Sequence, residues 1–158
     1  MSNPFIDQAL LDAVSGQARE SARLRRNHNF HVHETDASHR LLNAIEPGSY
    51  VAPHRHLDPA KDETMIVLRG ALGVVLFDDA GCVTASAVLR PGGDRLGINI
   101  PHGTWHSVLG LVSGAVFFEA KAGPYVPLID AERAPFAPLE NSPEANEFYK
   151  RLVAVFAV

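Results

Sequence analysis

Histidines, eight of them in 158 residues, are the side chains of this chain whose spacing could do chemistry. His54 and His56 flank Arg55. In a strand, residues two apart face the same way, so the two imidazoles project together while Arg55 points away. Two neutral imidazoles so placed can bind one divalent cation, and Glu63, at the start of the next apolar run, can supply a carboxylate oxygen. Asp58 and Asp62 lie in the same gap as further carboxylates. A second stretch, Pro101-His102-Gly103-Thr104-Trp105-His106, reads as a turn that delivers His106 onto a later strand. Three imidazoles and one carboxylate would make an open site with room for water or substrate. Zinc, iron, manganese and nickel all accept that donor set.

Other residues qualify as ligand-binding or acid–base groups. His102 could exchange protons, support His106 from behind, or be an exposed turn residue. Glu119 and Lys121 share a strand face with Phe117 and either reach into a cavity or pair outside it. Tyr50 and Tyr125 are candidate hydrogen-bond donors or half-buried aromatics. Asn27, Asn29, His31 and His33 sit before the barrel, and either fold over its mouth to bind a hydroxyl-rich ligand or form an N-terminal strand or loop in water. Arg23, Arg25 and Arg26 could fork onto a phosphate or carboxylate, or form a hydrated basic face. Cys82 has no CxxC partner and reads as a small core or strand residue. No nucleophile elbow, phosphate loop or dinucleotide fingerprint is present.

The elements that must position these groups are mostly strands. Arg40–Glu46, Glu63–Arg69, Ala71–Phe77, Cys82–Leu89, Leu96–Ile100, Trp105–Leu111 and Ala115–Lys121 are short apolar runs. Pro-Gly, Asp-Ala-Gly and Gly-Gly turns punctuate them, which predicts an antiparallel sandwich or barrel. A first helix is expected with Asn3 as cap and Pro4 in its first turn, carrying Ile6, Leu10, Ala13 and Val14 and ending or interrupted at Gly16. Beyond Gly123-Pro124 the chain is proline-rich and reads as a surface strap. A last helix is expected from Ser142-Pro143, with Phe148, Leu152 and Phe156 on one side. This makes one structural domain in three stretches: a helical segment over 1–26, a β-barrel over 27–125, and a strap with a C-terminal helix over 126–158.

Composition narrows the function classes. Hydrophobic residues are 46% and charged residues 20%, an ordinary globular balance. A net charge of −4 and a pI near 6.0 speak against nucleic acid and anionic membrane as partners. No apolar run is long enough to span a bilayer, and the N-terminus lacks a basic start followed by an apolar core, so a cytoplasmic protein is expected.

The spacings resemble the cupin superfamily. Five residues separate Gly48 from His54, and six separate Glu63 from Gly70, as in its first motif. The His56–Glu63 gap holds six residues where that motif has three or four. Pro101, Gly103 and His106 match the second motif, in which Gly110 replaces an asparagine. Further stretches resemble the WbuC-type cupin-fold metalloprotein family: Arg26-Asn27-His28-Asn29-Phe30-His31, Arg40-Leu41-Leu42-Asn43, Ser49-Tyr50-Val51, Pro53-His54-Arg55-His56, Lys61-Asp62-Glu63, and Phe118-Glu119 with Lys121 and Gly123-Pro124-Tyr125. That likeness covers roughly residues 20–140 and includes the longer gap.

The resemblance implies a mainly β, single-domain jelly-roll β-barrel with short N- and C-terminal helices. It implies one divalent metal ion (Zn, Fe, Mn or Ni) held by His54, His56, Glu63 and His106. Ligand contacts would fall to Arg26, Asn27, Asn29, Lys121 and Tyr125, with His102, Tyr50 and Glu119 as catalytic candidates. It also implies a homodimer, paired through flat sheet faces, and a small oxygen-rich ligand, sugar-like or nucleotide-sugar-like, in bacterial surface-polysaccharide metabolism. Three activities fit: a metal-dependent isomerase or epimerase, an iron-dependent dioxygenase, and a sugar-binding module without chemistry.

Overall fold

The computed structural model describes residues 4–157. Its strands are β1 (Arg25–Asn29), β2 (Ser38–Ile45), β3 (Glu63–Arg69), β4 (Leu72–Phe77), β5 (Val83–Leu89), β6 (Gly97–Ile100), β7 (Trp105–Gly110) and β8 (Ala115–Ala122). Helices α1 (Gln8–Glu20) and α2 (Ala145–Ala154) flank them. One sheet runs β1-β2-β8-β3-β6 and the other β5-β4-β7, with every pairing antiparallel. Two antiparallel sheets wrapped around a shared interior, with sequence neighbours divided between them, make a jelly roll.

Alternation gives each sheet an inner and an outer face. In the five-stranded sheet, Asn29, Leu41, Glu119 and Met65 form one inward cross-strand row. The neighbouring inward row is Asn27, Asn43, Phe117 and Val67. Toward one end the interior is hydrocarbon: Ile45, Val67, Leu72, Val74, Leu89 and Phe117 pack between the sheets. Toward the other end it is polar, and there His54, His56 and His106 sit.

Both outer faces are partly covered, while Ile66 on the outer side of β3 stays exposed. Helix α1 lays Leu11, Val14 and Ala18 over Leu42, Ala44 and Val116. Burial of each leucine or valine there contributes about 1.5–3 kcal/mol. Arg69 ties the helix down, reaching the Asp12 carboxylate at 2.6 Å, Ser15 Oγ at 2.7 Å and the Leu11 carbonyl at 3.1 Å. Over the three-stranded sheet, the C-terminal stretch packs Ala134, Ala145 and Leu152 against Val75, Phe77, Trp105 and Leu109.

Several expectations need correction. The helix-capping position expected at Asn3 lies outside the described residues; α1 begins at Gln8, and Asp7 caps it by accepting the Leu10 amide at 2.9 Å. Its buried stripe is Leu11, Val14, Ser15 and Ala18, while Ile6 and Ala13 are exposed. Gly16 does not end the helix, because that stripe continues beyond it to the fully buried Ala18. The cost of an internal glycine, about 1 kcal/mol, is outweighed by this docking. Helix α2 begins at Ala145, and Phe156 lies past its end but still packs on the same cluster. Cys82 is exposed, in the turn before β5, where its amide donates to Asp78 Oδ1 at 2.8 Å. That turn ends in Gly81 at φ +84°, and Phe136 of the strap lies against it, leaving no room for a Cβ.

Candidate metal centre

His54 and His106 stand 52 positions apart in the chain, and the backbone brings them face to face. The His54 amide donates to the His106 carbonyl at 3.1 Å, and the His106 amide returns the bond at 3.0 Å. Such a mutually bonded antiparallel pair puts both side chains on one face. Their ring centroids are 4.4 Å apart. The expected strand around His54-Arg55-His56 is an extended segment bridged only at His54, flanked by His106 on one side and Arg133 of the strap on the other. Arg55 does point away: its guanidinium lies 4.1 Å from the Trp105 ring centroid. The second turn is tied to the first motif as well, since Gly103, at φ +78°, donates its amide to the His56 carbonyl at 2.6 Å.

The tautomers follow from the hydrogen bonds. His54 Nδ1 donates to the Ala52 carbonyl at 3.0 Å, and His106 Nδ1 donates to the Thr104 carbonyl at 2.9 Å. A carbonyl only accepts, so each neutral ring carries its proton on Nδ1 and a lone pair on Nε2. His106 Nε2 lies 3.0 Å from Glu63 Oε2. Both atoms are buried, and neither has a hydrogen-bond partner. Two acceptors facing each other away from water are costly, and a shared cation relieves both. His54, Glu63 and His106 each offer a donor atom, all within 4.8 Å of one another. The donor set, two imidazoles oriented by backbone carbonyls plus a carboxylate, suits a borderline divalent metal.

His56 is placed differently. Its Nε2 lies 3.0 Å from Glu63 Oε1, the oxygen that also takes the Lys121 ammonium at 2.6 Å. Lys121 lies 3.3 Å from Glu119 Oε1, and Asn43 donates to Glu119 Oε2 at 2.8 Å. Electrostatics follow this network. Burial pushes the His54 imidazolium down to about 3, helped by the neighbouring His106. Burial alone would raise the Glu63 carboxyl, but contacts with His106, His56 and Lys121 hold it well below the ordinary carboxylate range. Glu119 is raised, by burial first and by the Glu63 charge second. Lys121 is raised because Glu119 and Glu63 outweigh the effect of burial.

These residues open onto a cavity of about 660 Å³. Arg26, Asn27, Asn29, Glu119, Lys121 and Tyr125 all line it, with His54, His56, Glu63 and His106. Tyr50 does not: it is buried under the C-terminal stretch, donating its hydroxyl to the Pro138 carbonyl at 2.8 Å. His102 is exposed outside the cavity lining, with Nδ1 2.8 Å from Asp62 Oδ1. Asp58 caps its own turn, accepting the Ala60 amide at 2.9 Å. Arg23 and Arg25 both reach Glu140, at 2.8 and 2.7 Å. The stacked pair His31 and His39, with centroids 3.9 Å apart, lies at the cavity wall, as do Asn43 and Lys61. Lys61 was absent from the expected site, although the alternation Lys61-Asp62-Glu63-Thr64-Met65 places it on the Glu63 face.

Fold and site together define a jelly-roll protein with a metal-competent histidine–glutamate cluster inside its polar end. The chain belongs to the family described as a domain of unknown function, DUF6016, whose model matches residues 6–89. No curated protein matches it. Among solved structures it is similar to a conserved protein of unknown function, SPY1581, from Streptococcus pyogenes, with a TM-score of 0.53 and 8% identity over 80% of this chain and 93% of that one. It is also similar to KdgF from Halomonas sp., with a TM-score of 0.49 and 20% identity over 62% of this chain and 79% of that one. A cupin-2 domain containing protein from Shewanella frigidimarina gives 0.47 and 18% over 62% and 80%.

Proposed function

We propose that this protein is a metal-binding cupin of the WbuC type, holding one divalent ion through His54, Glu63 and His106, with His56 completing the set. In this reading it acts in the cytoplasm on a small oxygen-rich molecule, sugar-like or nucleotide-sugar-like, in surface-polysaccharide metabolism. The observation that carries the metal is the unpartnered, buried pair His106 Nε2 and Glu63 Oε2, 3.0 Å apart. Such an ion supplies Lewis acidity toward a carbonyl or hydroxyl oxygen. The chain's own groups do the rest: Asn27, Asn29 and Asn43 offer amides to hydroxyls from the cavity wall, and Lys121 and Glu119 set a fixed pair of charges beside the site.

The test is elemental analysis of freshly purified protein and of His54→Ala and His106→Ala. Near-stoichiometric metal in the parent and a sharp loss in both variants are expected. Full occupancy in either variant would show that the ligands are wrongly assigned.

A further inference from the structure

Entering β3, buried and exposed residues alternate: Lys61, Glu63 and Met65 face inward, while Asp62 and Thr64 face water. Lys61 is only 8% exposed. Its ammonium donates to the Pro124 carbonyl oxygen, and among the described residues no carboxylate lies within ion-pair distance of it. Lys121, by contrast, has both Glu63 and Glu119 beside it. Glu132 senses the Lys61 charge only weakly. Its carboxylate is already committed to the amides of Leu57 at 2.9 Å and Ile129 at 3.2 Å.

An ammonium on so little-exposed a residue, without a counter-charge, loses hydration, and one carbonyl dipole returns only part of it. Arg25, the cation that β1 turns inward beside Asn27 and Asn29, is by contrast neutralised by Glu140. Lys61 is therefore a cation at the cavity wall that no carboxylate among the described residues pairs.

We infer that the ligand of this cavity is an anion, and that Lys61 is the specificity-determining residue that receives its carboxylate or phosphate oxygens. This rests on the reading of the cavity as a ligand site but not on the metal. A neutral sugar would leave Lys61 uncompensated, while a sugar acid or sugar phosphate supplies the missing charge and keeps hydroxyls for the asparagines.

The experiment uses three matched probes, galactose, galacturonate and galactose 1-phosphate, titrated calorimetrically into the full chain, with metal content measured on each preparation. At least one anion should bind about tenfold more tightly than galactose, the scale of one charge-assisted hydrogen bond. Which anion wins separates a carboxylate from a phosphate ligand. Lys61→Met and Lys61→Gln should both erase the preference while metal content stays at the parent level, and Lys61→Arg should keep it; the Gln variant can still donate to Pro124 if the Met variant fails to fold. Equal binding of all three probes by the parent protein, including no binding at all, overturns the inference, as does a preference that survives in a folded neutral variant. A parent protein free of metal but retaining the Lys61-dependent preference would refute the metal reading alone.

Discussion

Exchanging Glu63 for glutamine separates a metal ligand from a structural ion-pair partner. Without metal, wild type carries two buried acceptors in opposition, Glu63 Oε2 and His106 Nε2. Each unsatisfied atom costs about 1–3 kcal/mol. In Glu63→Gln the new amide N–H can donate to His106 Nε2, removing that opposition. The loss is one carboxylate beside Lys121, which keeps Glu119 at 3.3 Å. Gain and loss are of similar size, so in chelator the variant should melt within about 1 kcal/mol of wild type, roughly 2–4 °C for a chain of this length. With a binding-competent ion at a hundredfold its Kd, wild type gains about 2.7 kcal/mol and the variant gains almost none. That opens a gap of roughly 5–11 °C. Calorimetric melts of both proteins, each with chelator and with added zinc, manganese, nickel or anaerobic iron(II), measure it. A gap of equal size with chelator and with metal would refute the reasoning, because Glu63 would then be only the partner of Lys121.

Three further outcomes are expected. Glu140 is held down at about 2 by its bond to Arg23, then by Arg25, against burial. The shift corresponds to about 3 kcal/mol, reduced to about 1–2 kcal/mol by its partial exposure. A carboxyl depressed in the folded state stabilises fully above its unfolded value and loses that contribution as pH falls toward the folded one. Glu140→Gln should therefore be less stable than wild type in urea at pH 7, with the gap narrowing below about pH 4.5; a gap independent of pH would contradict this. Arg69→Met should lose about 2–3 kcal/mol and expose α1 to protease, and unchanged cleavage would mean that the helix is held by its apolar stripe alone. Sedimentation velocity should give the mass of two chains. A single-chain mass would remove the dimer.

The strands from Glu63 to Ala122 were legible because their apolar alternation and turn glycines are local signals. Strand β1 could be read only as one alternative, strand or loop: Arg25–Asn29 is polar on both faces, as an edge strand beside a wet cavity can be, so it carries no hydrophobic period. Gly16 misled because propensity is local whereas the docking of Ala18 is tertiary. In the candidate site, the motif spacings pointed to His54, Glu63 and His106. What places them together is a reciprocal backbone bridge between distant segments, which spacing alone does not contain. The difference between Lys121, doubly paired, and Lys61, unpaired by any carboxylate among the described residues, depends on which carboxylates the sheet register delivers to each.

Because α1 grips only the even-numbered residues of β2 and β8, such as Leu42 and Val116, the odd-numbered ones on the cavity wall are free of that duty. Leu41, Asn43 and Glu119 can be exchanged without disturbing what clamps the sheet from behind. The barrel is thus a chassis whose guest can be changed by a few inward substitutions, while its rigidity is vested in side chains the guest never meets.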